Sequence, residues 1–273
     1  MALCLENGAD EAESVLHLLS TGSAGALATV VCFPPSAGNA VNFRPLAREL
    51  EESGYALYGV EPPGHDLRRG DQVLAAVEET AGRVAREVLA RAVEPIVLYG
   101  QGSGTATALA TAALLQGQGA DLRHVFLSGW SPGDAGELSA RIRESSGTSD
   151  AKVREHLSAD LGYIELGEGR EERTHLLGAA YRHDESDAAR YLLEASADAV
   201  RARVRAPVTV LVADDDPAAE ELWASASGWK RFADSVHVRT LSGGGRQHFR
   251  SSPAETAAVL TAVAGTGAGQ GDR

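Results

Sequence analysis

An α/β fold, a doubly wound and mostly parallel sheet with an inserted helical cap, is predicted by three features of this 273-residue chain. Short apolar runs rich in β-branched residues recur along it. Segments with apolar spacing near 3.6 residues alternate with them, and one long charged segment breaks the alternation.

The first strand falls at 28–33, where Thr29, Val30, Val31, Cys32 and Phe33 form a continuous apolar run. A run of this kind reads as a strand covered on both faces. A helical pattern at 43–52 follows, then a weaker strand at 56–60, a helix at 72–91 and a strand at 96–99. The Ala-rich stretch 105–116 is the next helix, and Val125, Phe126 and Leu127 the next strand. After the cap come a strand at 208–212, a helix at 217–232, a weaker strand at 236–241 and a helix at 253–264. Several of these helices begin after Gly, Pro, Ser or Asp, as helix starts do.

The segment 133–205 is far longer than a crossover between parallel strands needs, and it is charged and helix-favouring. It reads as a lid over the carboxyl ends of the strands, where ligands bind in this architecture. The chain is expected to form one α/β domain over 1–264, with the Gly-rich residues 265–273 as a frayed tail.

Composition excludes several classes. With 38 acidic against 25 basic residues and a net charge of -13, nucleic acid and anionic membrane surfaces are poor partners. Docking of an acidic carrier protein would need a local basic patch, for which Arg68, Arg69, Arg201, Arg203 and Arg205 are candidates beside their ordinary reading as solvated charges. No run approaches the roughly 18 apolar residues of a membrane span. The acidic Met1–Asp10 stretch lacks a secretory layout, so a cytoplasmic location is expected. Cys4 and Cys32 read as inert thiols, and neither a metal site nor a cofactor is expected.

The chemistry centres on Ile96-Val97-Leu98-Tyr99-Gly100-Gln101-Gly102-Ser103-Gly104-Thr105-Ala106, a strand passing through a glycine-rich turn into a helix. This is the setting of a nucleophile elbow, G-x-S-x-G, whose small flanks let helix and strand approach. Gly100 and Gly104 are the flanks, so the nucleophile position holds Gly102, which has no side chain to attack with. The turn lacks the Lys-Ser/Thr of a phosphate-binding P-loop and the spacing of a dinucleotide fingerprint. Centring the elbow on Ser103 instead gives Gln101 and Thr105 as flanks, which are bulky for so tight a turn. Ser103 is better placed to offer its backbone N–H as an oxyanion donor.

Cys32-Phe33-Pro34-Pro35-Ser36-Ala37-Gly38-Asn39 with Phe43-Arg44-Pro45-Leu46-Ala47 resembles the opening of the thioesterases of nonribosomal peptide and polyketide assembly lines, integrated and type II alike. Gly59-Val60-Glu61-Pro62-Pro63-Gly64-His65-Asp66 resembles their next loop, and Tyr181-Arg182-His183-Asp184 a lid motif of one subgroup. The resemblance runs from about residue 28 to residue 260 and implies an α/β-hydrolase fold acting on acyl or peptidyl thioesters, free or carrier-bound.

It also implies roles. The oxyanion hole falls on the backbone N–H groups of Ser36 and Ser103, since Pro35 has none. The triad acid falls on Asp216 in Asp214-Asp215-Asp216-Pro217, where any of the three aspartates could equally cap the next helix. The family's histidine aligns without gaps on Arg246, and a two-residue shift would bring in His248, whose plain reading is a loop histidine. Gln101, Pro35 and Trp130 are expected to touch substrate; Trp223 and Trp229 are expected to pack. Arg246, His248 and Asp216 are left as the candidate acid, base or carboxylate clamp.

A serine triad needs all its members for fast acyl transfer, and here two positions are replaced. Three readings stand: a scaffold repurposed for cyclisation, elimination or addition; a noncatalytic module that binds a carrier protein or partner enzyme; and an active thioesterase into which Gly102 was introduced.

Overall fold

The computed structural model of the chain describes residues 14–22, 25–66, 73–161, 170–198 and 203–263. Cys4, Arg68, Arg69, Arg201 and the tail at 265–273 lie outside the described residues. Within them, seven strands build one sheet: β1 (Leu16–Ser20), β2 (Thr29–Phe33), β3 (Ala56–Val60), β4 (Ile96–Gln101), β5 (Leu122–Ser128), β6 (Val208–Ala213) and β7 (Val236–Leu241). Their order is β1-β3-β2-β4-β5-β6-β7, and only β1 runs antiparallel to its neighbour.

The helices are α1 (Arg44–Glu52), α2 (Val77–Arg91), α3 (Gly104–Gly117), α4 (Ala135–Gly147), α5 (Asp150–Leu161), α6 (Arg170–Ala197), α7 (Ala219–Ser225), α8 (His248–Ser251) and α9 (Pro253–Ala262). Alternate side chains of the central strands feed two cores, as the two-residue period of a strand requires. Val31, Phe33, Leu98 and Leu127 join residues of α2 and α3 on one face. Val30, Cys32, Val97 and Tyr99 join residues of α1 and α9 on the other. β2 and β4 are buried along their whole length, and each fully buried Val or Leu there contributes about 1.5–3 kcal/mol. The continuous apolar runs are the direct trace of this two-sided cover. No described helix is long and apolar enough to cross a membrane.

The structure corrects several expected boundaries. β1 was not expected; as an edge strand it exposes His17 and Leu18, so no continuous apolar run marks it. The expected helix 217–232 is the short α7 followed by a 3₁₀ turn at Ala226–Arg231. The helix expected from residue 72 begins at Val77. Among the described residues, the segment between β5 and β6 carries three helices, α4, α5 and α6.

Register places the working edge. Phe33 pairs with Gly100 and Gly100 with Leu127, while Gln101 pairs with Ser128 and Ser128 with Leu211. The loops after β2, β4, β5 and β6 therefore leave the sheet side by side. The chain reverses its direction of winding between β2 and β4, the crevice where open α/β sheets hold ligands.

Candidate active site

The turn from β4 into α3 has its apex at Gly102, which adopts φ +55°. That left-handed conformation favours glycine. A Cβ at Gly100 would lie 2.8 Å from Thr105 Cα, and one at Gly104 would strike the backbone oxygens of Phe33 and Pro34. The two flanks are thus glycine for packing reasons, and they frame Gly102 rather than Ser103. A Cβ at Gly102 would sit 3.2 Å from Pro35 Cβ, so Pro35 roofs the apex closely.

On the β6–β7 side of the elbow, Asp216 is buried and its Oδ1 accepts from the Ala218 N–H at 2.8 Å, which caps the approach to α7. The same oxygen lies 3.9 Å from Arg246 Nε. Asp215 accepts from the N–H groups of Gly244 and Gly245 at 3.1 and 2.7 Å, so this aspartate fixes the loop that carries Arg246. The Arg246 side chain is 40% exposed at the rim.

His248 turns the other way. Its Nδ1 meets Thr256 Oγ1 at 3.0 Å and its Nε2 meets Ser128 Oγ at 2.9 Å, with Tyr99 Oη 3.4 Å away. The ring is 1% exposed, and burial lowers its pKa to about 4. Both ring nitrogens of His248 are thus engaged inside the fold, beside the strand that leads into the elbow. The Gln101 side chain, expected to touch substrate, is engaged within the protein as well. Tyr99 Oη donates to its Oε1 at 2.6 Å, and its Nε2 donates to the Arg246 carbonyl at 2.8 Å. This buried amide ties the elbow strand to the Arg246 loop.

The lid side is more closely knit. Ser36 Oγ lies 2.9 Å from Ser103 Oγ and 2.6 Å from Glu185 Oε1 of α6. Next along α6, Asp184 Oδ2 accepts from the Ala37 N–H at 2.8 Å and meets His65 Nε2 at 2.8 Å. An apolar cluster of Ala37, Val153, Leu157, Leu177 and Ala180 seats the lid on the same loop.

The two adjacent carboxyls differ. Burial works against ionisation of Asp184, yet the partner His65, with the His183 and Ala37 hydrogen bonds, holds it at about 2. Burial likewise works against charge on His65, but Asp184 and the carbonyls of Pro63 and Pro62 raise its pKa on balance. Loss of water raises the pKa of half-buried Glu185, against the opposing pulls of Ser36, Arg141 and Arg246.

A cavity of about 30 Å³, room for a water-sized group or two, lies beneath α6 and is lined by Pro35, Ser103, Gly104, Thr107, His183 and Asp187. Pro35 and Ser103 reach this space; Gln101 and Asp216 do not line it. Trp130 is 4% exposed in the core with the Arg141 guanidinium stacked 4.2 Å from its ring. Trp229 is buried, while Trp223 is 39% exposed. Arg203 pairs with Asp234 and Arg205 is hydrogen-bonded to Gln116, and both are exposed. Cys32 is buried, and desolvation raises its thiol pKa, as for an inert core cysteine. No His/Cys/Asp/Glu cluster with the makings of a metal site occurs among the described residues.

Glu185 escaped the sequence reading. The motif Tyr181-Arg182-His183-Asp184 ends one residue short of it, and its contact with Ser36 spans 149 positions. His65 and Asp184 were visible only as pieces of two separate motifs.

The same architecture occurs in known proteins. The type II thioesterase BorB of the borrelidin cluster superposes with a TM-score of 0.69 at 22% identity, covering 91% of this chain and 97% of its own. RedJ, a thioesterase of the prodiginine pathway in Streptomyces coelicolor, gives 0.66 at 24% identity over 90% and 92%. In sequence the chain is similar to AMB antimetabolite synthetase AmbE of Pseudomonas aeruginosa, 26% identical over 238 residues, 86% of this chain but 11% of AmbE. The chain therefore spans about a tenth of that protein. The thioesterase-domain family profile matches residues 28–263, nearly all of the sheet and lid just described, and the chain belongs to that family.

Proposed function

We propose that the chain works in the cytoplasm in nonribosomal peptide or polyketide biosynthesis, where it binds an acyl or peptidyl thioester, free or carrier-bound. It converts this thioester without a serine acyl-enzyme, in a non-hydrolytic step such as cyclisation, elimination or addition. One observation supports the reading: the elbow apex is Gly102, the Arg246 side chain stands at the rim, and both ring nitrogens of His248 are engaged by Ser128 and Thr256. Oxyanion donors and binding alone supply only about 10³–10⁴-fold acceleration once a triad is lost. Ser36 and Ser103 supply those donors, α4 to α6 form the lid, and Asp216 steadies Arg246 as a clamp for a substrate carboxylate or carbonyl.

Incubation with carrier-bound acyl and peptidyl thioesters, read by product mass, tests this. A cyclised product released without addition of water, or a changed mass on the still-tethered chain, supports it, and rapid release of the free acid through a covalent intermediate on the unmodified chain sinks it. A noncatalytic binding module is the second reading, favoured by the small cavity under the seated lid. In that case the thioester or its carrier binds and leaves unchanged. The third reading, an active enzyme silenced by an introduced Gly102, is weakened by Arg246, since a restored serine would still lack its base.

A further inference from the structure

The polar chain that links lid to elbow has a direction. Ser36 Oγ stands between Ser103 Oγ at 2.9 Å and Glu185 Oε1 at 2.6 Å, yet a hydroxyl carries one proton. When Glu185 is ionised, Ser36 donates to it and Ser103 donates to Ser36, leaving a Ser103 lone pair to accept from the cavity. When Glu185 is protonated, it donates to Ser36, Ser36 donates to Ser103, and the Ser103 proton points outward. The state of one carboxyl thus sets whether the cavity end of the chain takes or gives a proton.

We propose that Glu185, Ser36 and Ser103 form a proton-transfer site, with Glu185 as the acid/base group and the Ser103 hydroxyl presented to a protic nucleophile, an amine or hydroxyl carried on the bound acyl thioester. The proposal rests on the reading that such a thioester binds at the elbow.

In the first half of the step, the nucleophile's proton passes to Ser103, that of Ser103 to Ser36 and that of Ser36 to Glu185, while the new C–N or C–O bond forms at the thioester carbon. In the second, the C–S bond breaks and the proton returns along the same chain to the leaving thiolate. Cyclic product and thiol depart, Glu185 is again a carboxylate, and no further reactant is consumed. The adjacent carboxyl of Asp184 does not serve, because His65 and the Ala37 N–H hold it as an anion. Neighbouring carboxyls whose environments push them apart mark such a division of labour. Glu185 is faced by Arg141 of α4, Arg246 of the β7–α8 loop and Asp184 of its own helix; the two cations favour its charged form, and Asp184 opposes it.

The test uses the full chain, a panel of N-acetylcysteamine thioesters with terminal amines or hydroxyls, and a non-cleavable thioether of the same chains. Wild type should release ring-closed product at a rate that rises with pH through the titration of Glu185. E185Q and S36A should each lose about 10²-fold or more, the usual worth of acid–base catalysis, and the pH dependence should vanish in E185Q. S36T keeps the hydroxyl and should regain most of the rate. Thioether affinity should stay within about threefold in each variant, which separates lost proton transfer from lost binding or folding. If wild type cyclises and E185Q matches it, the relay falls while the functional reading stands. If wild type binds the thioether and converts nothing, relay and chemical reading fall together and the binding module remains.

Discussion

The two sides of the elbow share a sheet edge and have opposite characters. Towards β6 and β7, where a triad would place its acid and base, the polar groups serve the scaffold. Asp216 caps, Asp215 holds a glycine loop, His248 is locked in the core and Arg246 stands 3.9 Å from Asp216. Towards the lid, Glu185, Ser36, Ser103, Asp184 and His65 join in contacts of 2.6–2.9 Å. Those short polar contacts lie on the lid side of the elbow, and the long one between Arg246 and Asp216 on the β6–β7 side.

The largest expected effect follows from breaking the latch. D184A removes the partner of buried His65 and of the Ala37 N–H at once, which should cost about 3 kcal/mol in a denaturant melt and speed proteolysis within the lid. An unchanged digestion pattern would show that the apolar cluster alone seats α6. The latch also has a pH window. His65, raised in the folded protein, contributes fully below its unfolded value of about 6.5 and loses that contribution as pH rises through the folded one. Asp184 contributes above about 3.9 and is lost as pH falls towards 2. Lid protection should therefore be greatest between about pH 4 and 6.5.

The opposite side responds in the opposite sense. The folded pKa of His248 is depressed, so its stabilisation is whole above about 6.5 and drains away as pH falls towards 4, by on the order of 2 kcal/mol. Unfolding free energies at pH 7 and 4.5 for wild type and H248Q check this. The variant should start less stable and lose less on acidification. A decline equal to that of wild type would move the acid sensitivity to another residue.

What the sequence revealed divides along the same line. The parallel strands, the elbow and the lid insertion were legible because two-sided burial writes continuous apolar runs and close packing writes glycines at 100 and 104. The orientation of His248 was not legible, since it depends on Ser128 and Thr256, which are 120 and 8 positions away. Gln101 looked substrate-facing because it sits in the elbow, but its amide is taken by Tyr99 and the Arg246 carbonyl. Glu185 needed the lid to be folded down before its partner could be seen.

Smaller effects sharpen the contrast at the apex itself. G102S forces a non-glycine residue to φ +55° against Pro35, at a cost of about 1–2 kcal/mol, and should give no burst of acyl-enzyme while an arginine stands beside Asp216. Adding R246H to G102S places an imidazole where the Arg246 side chain now lies beside Asp216. A burst in the double variant and none in either single one would show that this side lost its chemistry through these two positions alone.

R246A should change stability least, by under about 1 kcal/mol, because its carboxylate contact is long and its side chain is half in water. If Arg246 clamps substrate, however, thioether affinity should fall for chains carrying a carboxylate and stay unchanged for neutral ones. Equal weakening of both would make its side chain a strut of the loop, and the β6–β7 side would then hold no substrate contact through this arginine.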